Sequence, residues 1–237
     1  MKSTLSPMSP SAKAVLRADI RARRAARLQE SASRADSEAA VQQDALSTRV
    51  RARVEALAPA AVVAYASLPG EPSLDEVLED LITAGVPVLL PVTLKGEPLR
   101  LGPATAPLDA LPRGTWDIRE PATHLPIAEA LAGIAGPPTS PILVLAPGLA
   151  FDAAGARLGN GGGFYDRTFG PHGVLAEPHH AHLRERLIIE GVCWDDEVQE
   201  SLPVEPWDLV VTAILTDARV LEAAPAESRG SGETYHS

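Results

Sequence analysis

Cysteine is nearly missing from these 237 residues: Cys193, in LIIEGVCW, is the only one. A lone thiol closes no internal disulfide, which fits a reducing compartment, and a thiol within an apolar strand is ordinarily a core residue rather than a nucleophile. Aromatic residues are scarce at 4%, so Ala, Val, Leu and Ile must fill the core that a 45% hydrophobic composition permits. Long apolar runs are absent too. AVVAYASL and PILVLAPGLAF fall well short of the roughly 18 residues a membrane helix requires, and Lys2 has no apolar block behind it of the kind a secretory signal carries. Basic residues are outnumbered 21 to 31, for a net charge of −10 at pH 7. That balance argues against general nucleic-acid binding and against adsorption to anionic membranes. The expectation is a soluble, cytoplasmic protein with neither kind of partner.

What is present is an alternation of helical and strand-like segments. Residues 12–28 read as a helix with Leu16, Ile20 and Leu28 at helical spacing. A second, Ala-rich helix spans residues 37–57. AAVVAYASL follows as a buried strand, EPSLDEVLEDLITAG as an amphipathic helix stopped by Gly85, and VPVLLP as another strand. LKGEPLRLG suits a hairpin or edge pair. Residues 103–141 are rich in Pro and Gly, and their course is not legible. PILVLAP, ERLIIEGVCW and DLVVTAILTD complete the strands. Strands that are apolar on both faces need cover on both sides. The expected fold is α/β, a single three-layer domain with a mostly parallel central sheet flanked by helices. It should span residues 12–223, between a disordered lead at 1–11 and a disordered tail at 224–237.

Charge is unevenly spread. Residues 1–34 hold eight bases and two acids, a net +6, so the rest of the chain carries −16. Lys13, Arg17, Arg21 and Arg24 stand three or four residues apart, on one helical face, where like charges repel. Two readings fit: a solvated helix lying against an acidic body, or a face that meets a phosphate-rich ligand. The spacing does not separate them. The histidines of PHHAH (His179, His180 and His182) have no Cys or acid at a recognised metal-ligand spacing and read as an exposed loop.

The densest feature is APGLAFDAAGARLGNGGGFYDR, residues 146–167. A strand runs into the Pro147-Gly148 turn, and Gly159, Gly161, Gly162 and Gly163 then allow positive φ and close approach of a ligand to the backbone. Successive free N–H groups in such a turn make a concave anion site, and a helix starting at GFYDRTF would add to it. Arg157 and Arg167 could supply charge and paired hydrogen bonds to phosphate, and Asp166 could hold Mg²⁺. Neither G-x-x-x-x-G-K-[ST] nor G-x-G-x-x-G fits: no Lys occurs here, and Phe164 stands where the last Gly would be.

This stretch resembles the signature of the 5-formyltetrahydrofolate cyclo-ligase (5,10-methenyltetrahydrofolate synthetase) family: a strand, P-G-x-A-F-D, then R-x-G-x-G-x-G-[YF]-Y-D. KAVLR (residues 13–17), YASLPGE (65–71), REP (119–121) and LPVEPWDLVVTAILTD resemble further family segments in the same order, so the likeness spans most of residues 12–218. The resemblance implies conversion of 5-formyltetrahydrofolate, with or without a polyglutamyl tail, to 5,10-methenyltetrahydrofolate, with ATP as co-substrate, Mg²⁺, and release of ADP and phosphate through a phosphorylated formyl group. A monomer or weak homodimer is expected.

By position, the resemblance implies that Lys13 and Arg17 bind ATP phosphates. Arg157, Gly159, Asn160, Gly161, Gly162, Gly163 and Phe164 would cradle the nucleotide. Tyr165 would border both ligands, Ala66 and Glu71 would line the folate site, and Asp166 and Asp208 would hold Mg²⁺. Arg157, Tyr165 and Asp166 would thus stand nearest the chemistry. Two features depart from the family pattern. Asn160 and Gly162 replace aromatic or basic side chains, which shifts phosphate binding toward backbone N–H groups. Trp207 precedes Asp208 where relatives often carry His or Asn. The readings from other classes are a folate- or nucleotide-binding protein without turnover, and a sugar-phosphate isomerase or acyl-CoA transferase of similar layout. The glycine loop argues against the last two.

Overall fold

The computed structural model describes residues 11–33, 37–105 and 107–224. Apart from Ser11 and Ala224, the two ends expected to be disordered lie outside the described residues. In chain order the elements are α1 (Ala12–Ser33), α2 (Ser37–Leu57), β1 (Ala61–Val63), α3 (Asp75–Thr83), β2 (Val88–Val92), β3 (Arg100–Pro103), β4 (Leu125–Pro126), α4 (Ile127–Ala132), β5 (Ile142–Pro147), β6 (Ala150–Asp152) and β7 (Arg157–Leu158). Then come α5 (Phe164–Phe169), α6 (Ala181–Arg184), β8 (Leu187–Val192), β9 (Val198–Gln199), β10 (Ala213–Leu215) and β11 (Val220–Glu222). The helix expected to stop at Gly85 does so. Asp75 and Glu76 favour the N-terminal turn of α3, Val77 and Leu78 are buried, and Gly85 has a φ of 80°.

The main sheet runs β11-β10-β8-β5-β1-β2-β3-β4. Its five central strands, β10, β8, β5, β1 and β2, are parallel, and antiparallel strands finish both edges. LKGEPLRLG forms a hairpin, supplying the turn between β2 and β3 and most of β3, which β4 covers at the edge. Alternating side chains feed two cores. Val62, Leu143 and Leu145 face α2 and α3 through Leu46, Val50 and Leu78, while Val63, Ile142 and Val144 face α4, α5 and α6 through Leu131, Phe169 and Leu183. This is the three-layer arrangement expected from the doubly apolar strands. The charge inside β8, Glu190, is fully buried and is matched by Arg53 Nε from α2 at 2.7 Å.

A second, three-stranded sheet, β7-β6-β9, was not legible in the sequence. Its strands are two or three residues long, too short to display a period. Asp152 organises it. One carboxylate oxygen accepts from the N–H groups of Ala154 and Ala156, the other from that of Leu202. Helix α1 packs here rather than on the main sheet, setting Leu16 and Ile20 against Leu149, Ala150, Ala156, Leu158 and Leu202. A helix this heavily charged offers only a narrow apolar stripe, enough for a small sheet but not for a layer over the large one.

Topology then positions the site. From β1 the chain moves through α3 to β2 on one side, while β5, on the other side of β1, leads away to β8 and β10. Connections that leave neighbouring parallel strands in opposite directions open a crevice at the strands' carboxyl ends. The small sheet, α1 and the glycine-rich turn stand over that crevice.

Candidate functional site

A cleft of about 570 Å³ occupies the crevice. Every residue to which the resemblance gave a ligand lines it, from Lys13 and Arg17 on α1, through Ala66 and Glu71 after β1, to Arg157, the glycine turn, Phe164, Tyr165, Asp166 and Asp208, whereas Arg24 and Arg167, also singled out in the sequence, do not. The chain brings them together because β1 and β5 end side by side and α1 folds back across both.

The glycine turn is held by its carbonyls. Arg17 Nε donates to the Gly159 oxygen at 2.9 Å, Arg21 to the Asn160 oxygen at 2.9 Å, and Arg167 to the Gly162 oxygen at 2.8 Å. Gly161 and Gly163 adopt φ values of 99° and 66°, conformations that disfavour any side chain. Among the described residues, no hydrogen bond accepts from the N–H groups of residues 160–163. A turn with its carbonyls engaged by arginines leaves its N–H groups available to an acceptor. The short helix α5 starts immediately after it.

Arg157 is the hub of this half. Its side chain is 5% exposed, and its guanidinium donates to the Pro147 carbonyl at 3.2 Å and to Asp166 Oδ1 at 3.1 Å. It lies 5.0 Å from the Tyr165 ring centroid. Its Nε is buried with no partner among the described residues, an unspent donor. Asp166 Oδ1 also accepts the Leu209 N–H, which ties the residue to the turn carrying Asp208. Burial holds the Tyr165 phenol well above its ordinary range, so it is a neutral hydroxyl rather than a base.

Lys13 is not a free cation. Its Nζ lies 2.6 Å from Asp208 Oδ2 and 3.0 Å from Glu205 Oε2. Burial opposes its charge, but hydrogen bonds and attraction from Asp208 and Glu205 outweigh that and raise its pKa. Asp208 also accepts the Glu205 N–H, closing the turn before β10. The basic face of α1 is therefore divided between acids of the body and the glycine turn. Lys13 and Arg24 are neutralised by acids of the body, while Arg17 and Arg21 hold the glycine turn.

On the opposite wall, Glu71 Oε2 accepts the Leu68 N–H at 3.0 Å and Oε1 accepts from Arg24 at 3.2 Å. Burial raises the pKa of this carboxyl, with Leu68 and Arg24 pulling it down and Glu197 pushing it up. Tyr65, at the end of β1, donates to the Pro72 carbonyl and shapes the floor.

Thr93 and Trp116 line the cleft without having been singled out in the sequence, and Trp207, noted there only for its place before Asp208, lines it too. Thr93 lies just beyond β2, held through its N–H and hydroxyl by buried Glu120 of the REP segment. Its place at a strand's carboxyl end was the available signal. Trp116 and Trp207, 67% and 51% exposed, stand at the mouth. Trp116 has a φ of 71°, an uncommon conformation for a bulky residue. Among the described residues no group of three His, Cys, Asp or Glu side chains could hold a metal, and His179, His180 and His182 sit on short helical turns rather than a plain loop. Asp166 and Asp208 each keep one carboxylate oxygen without a hydrogen bond among the described residues, a donor set that suits a cation retaining much of its water. Cys193 is fully buried, and burial pushes its thiol far above the range of a reactive thiolate.

Comparison with known proteins agrees with this picture. The profile of the 5-formyltetrahydrofolate cyclo-ligase family matches residues 9–217. A 5-formyltetrahydrofolate cyclo-ligase of Mycolicibacterium smegmatis is 34% identical over 165 residues, covering 68% of this chain and 76% of its own. That of Escherichia coli is 33% identical over 166 residues, covering 68% and 80%. The solved structure of Aquifex aeolicus 5,10-methenyltetrahydrofolate synthetase superposes with a TM-score of 0.63 at 23% identity, covering 95% of this chain and 99% of that one. The corresponding Mycoplasma pneumoniae synthetase gives 0.57 at 16% identity, covering 87% and 99%. At those identities the structural likenesses speak to the fold alone.

Proposed function

The chain belongs to the 5-formyltetrahydrofolate cyclo-ligase family, and from that premise we propose that it converts 5-formyltetrahydrofolate to 5,10-methenyltetrahydrofolate at the expense of ATP, with Mg²⁺. The observation that carries the reading is the two-sided cleft. One wall is a turn of unengaged N–H groups backed by Arg17, Arg21 and Arg157, and the other presents the Glu71 carboxylate.

The formyl oxygen is a poor leaving group until phosphorylated. In this reading it attacks the γ-phosphorus, ADP departs, N10 of the folate closes on the formyl carbon and loses its proton, and the original oxygen leaves in inorganic phosphate. The protein has to align oxygen with phosphorus and neutralise charge as it develops. Lys13, Arg17, Arg157 and the backbone of residues 159–163 would hold the phosphates, with Phe164 and Tyr165 at their border. The buried orphan donor on Arg157 and the unpaired N–H groups suit that anion. Asp166 and Asp208 would hold Mg²⁺, which when bound supplies charge neutralisation at the phosphates. Glu71 would accept from the N–H groups of the pterin, beside Ala66. A single domain over residues 12–223 acting in the cytoplasm completes the proposal.

The test is the absorbance of methenyltetrahydrofolate on mixing purified protein with 5-formyltetrahydrofolate, ATP and Mg²⁺. A rise that requires ATP is expected. Folate binding without any rise would replace this reading with that of a binding protein.

A further inference from the structure

Arg24 shares a face of α1 with Lys13, Arg17 and Arg21, yet it is buried, 5% exposed, and does not line the cleft. Its Nε and Nη2 grip the two oxygens of Glu197 at 2.6 and 2.8 Å. Nη2 also donates to the Gly148 carbonyl, directly after β5, at 2.7 Å, and Nη1 reaches Glu71 Oε1 at 3.2 Å. Glu197 is itself fixed by the Trp194 N–H, and the Trp194 indole donates to the Gly70 carbonyl. Gly70, at a φ of 84°, lets the loop lie against the Arg24 stem, where an added Cβ would come within 3.1 Å of Arg24 Cβ. One guanidinium thus joins α1, the loop after β1, the turn after β5 and the run into β9.

We infer that Arg24 is a positioning residue for the folate side of the cleft: it fixes the orientation of the Glu71 carboxylate without touching substrate. The inference rests on the proposed role of Glu71 as a folate ligand. The geometry requires a planar fork. Two buried carboxylates, Glu71 and Glu197, converge on a single side chain that also satisfies a backbone carbonyl, and an ammonium cannot span all three. The groups facing Glu71 are Arg24 from α1, Glu197 before β9, the phenols of Tyr65 and Tyr165, and the Leu68 N–H. Arg24 is the only cation among them. Without it, burial and Glu197 together favour a protonated Glu71, which no longer offers a carboxylate to N–H donors.

The experiment is steady-state kinetics of the full chain, with KM for 5-formyltetrahydrofolate and for ATP measured separately across pH, alongside thermal melts. Arg24→Met should raise the folate KM about tenfold or more, the equivalent of one charge-assisted hydrogen bond, and leave the ATP KM nearly unchanged. The acid limb of kcat/KM for folate should move upward by about one pH unit or more. Arg24→Lys should restore part of both effects, and if Arg24→Met does not fold, Arg24→Lys against wild type carries the comparison. Arg51→Ala, which breaks a surface pair with Glu76 and Asp80, should change neither. Equal rises in both KM values, or an unmoved acid limb in a folded variant, would overturn the inference while wild-type turnover upheld the functional reading. A wild-type protein without ATP-dependent turnover would overturn both.

Discussion

Lys13 Nζ and Asp208 Oδ2 lie 2.6 Å apart although 195 positions separate them in the chain. A cation proposed for phosphate and a carboxylate proposed for metal are thus held as a pair, and ligands entering this corner must share or exchange those partners.

Replacing Asp208 with Asn should raise the Mg²⁺ concentration needed for half-maximal rate, and an unchanged Mg²⁺ titration would remove Asp208 from the metal site. The pair also predicts an alkaline limit. The folded pKa of Lys13 lies above 10.5, so its contribution to stability is complete below that value and is lost as pH climbs through the raised one. The melting temperature of wild type should exceed that of Lys13→Met at pH 8, and the gap should close above about pH 10.5.

Glu71 behaves in the opposite sense to a carboxylate stabilised by its pairing. Its folded pKa is raised, by burial first. A carboxyl of this kind supports the fold below its unfolded value near 4.5 and loses that support as pH rises through the folded value. Glu71→Gln should therefore melt above wild type at pH 7 and converge with it near pH 4, while the folate KM rises and ATP affinity holds. Melting below wild type at pH 7 would contradict this.

Gly161 tests the turn by backbone alone. At a φ of 99°, a Cβ there meets nothing nearer than Arg17 at 3.8 Å, so Gly161→Ala carries conformational strain without a clash. The expected cost is about 1 kcal/mol of stability, with the ATP KM raised and the folate KM little changed. Equal effects on both substrates would argue that the turn does not serve phosphate.

Asp152, inside the same signature, should behave differently. Its two oxygens accept three N–H groups and none of its contacts reaches the cleft. Asp152→Ala should lower stability by about 2–3 kcal/mol and leave both KM values near wild type at permissive temperature. A selective loss of ATP affinity at unchanged stability would show that it acts at the site.

Much of this was legible in the chain. Doubly apolar strands such as PILVLAP required a covered parallel sheet, Gly85 marked a helix end, and the glycines of residues 159–163 marked a turn with positive φ. The small sheet was not legible, since AFD and RL are too short for any pattern, and its existence depends on Asp152 collecting the Leu202 N–H from 50 positions away. The division of labour on α1 was equally hidden. Arg21 and Arg24 look alike in the sequence, but one holds Asn160 and the other is buried against Glu197.

The sequence by itself determined the layered α/β plan and the turn's capacity to approach a ligand closely, because periodicity and glycine conformation are properties of neighbouring residues. Only the tertiary structure decided which charges face the cleft and which are neutralised. That depends on partners 173 and 195 positions distant, brought within hydrogen-bonding reach where β1 and β5 end together and α1 crosses above them.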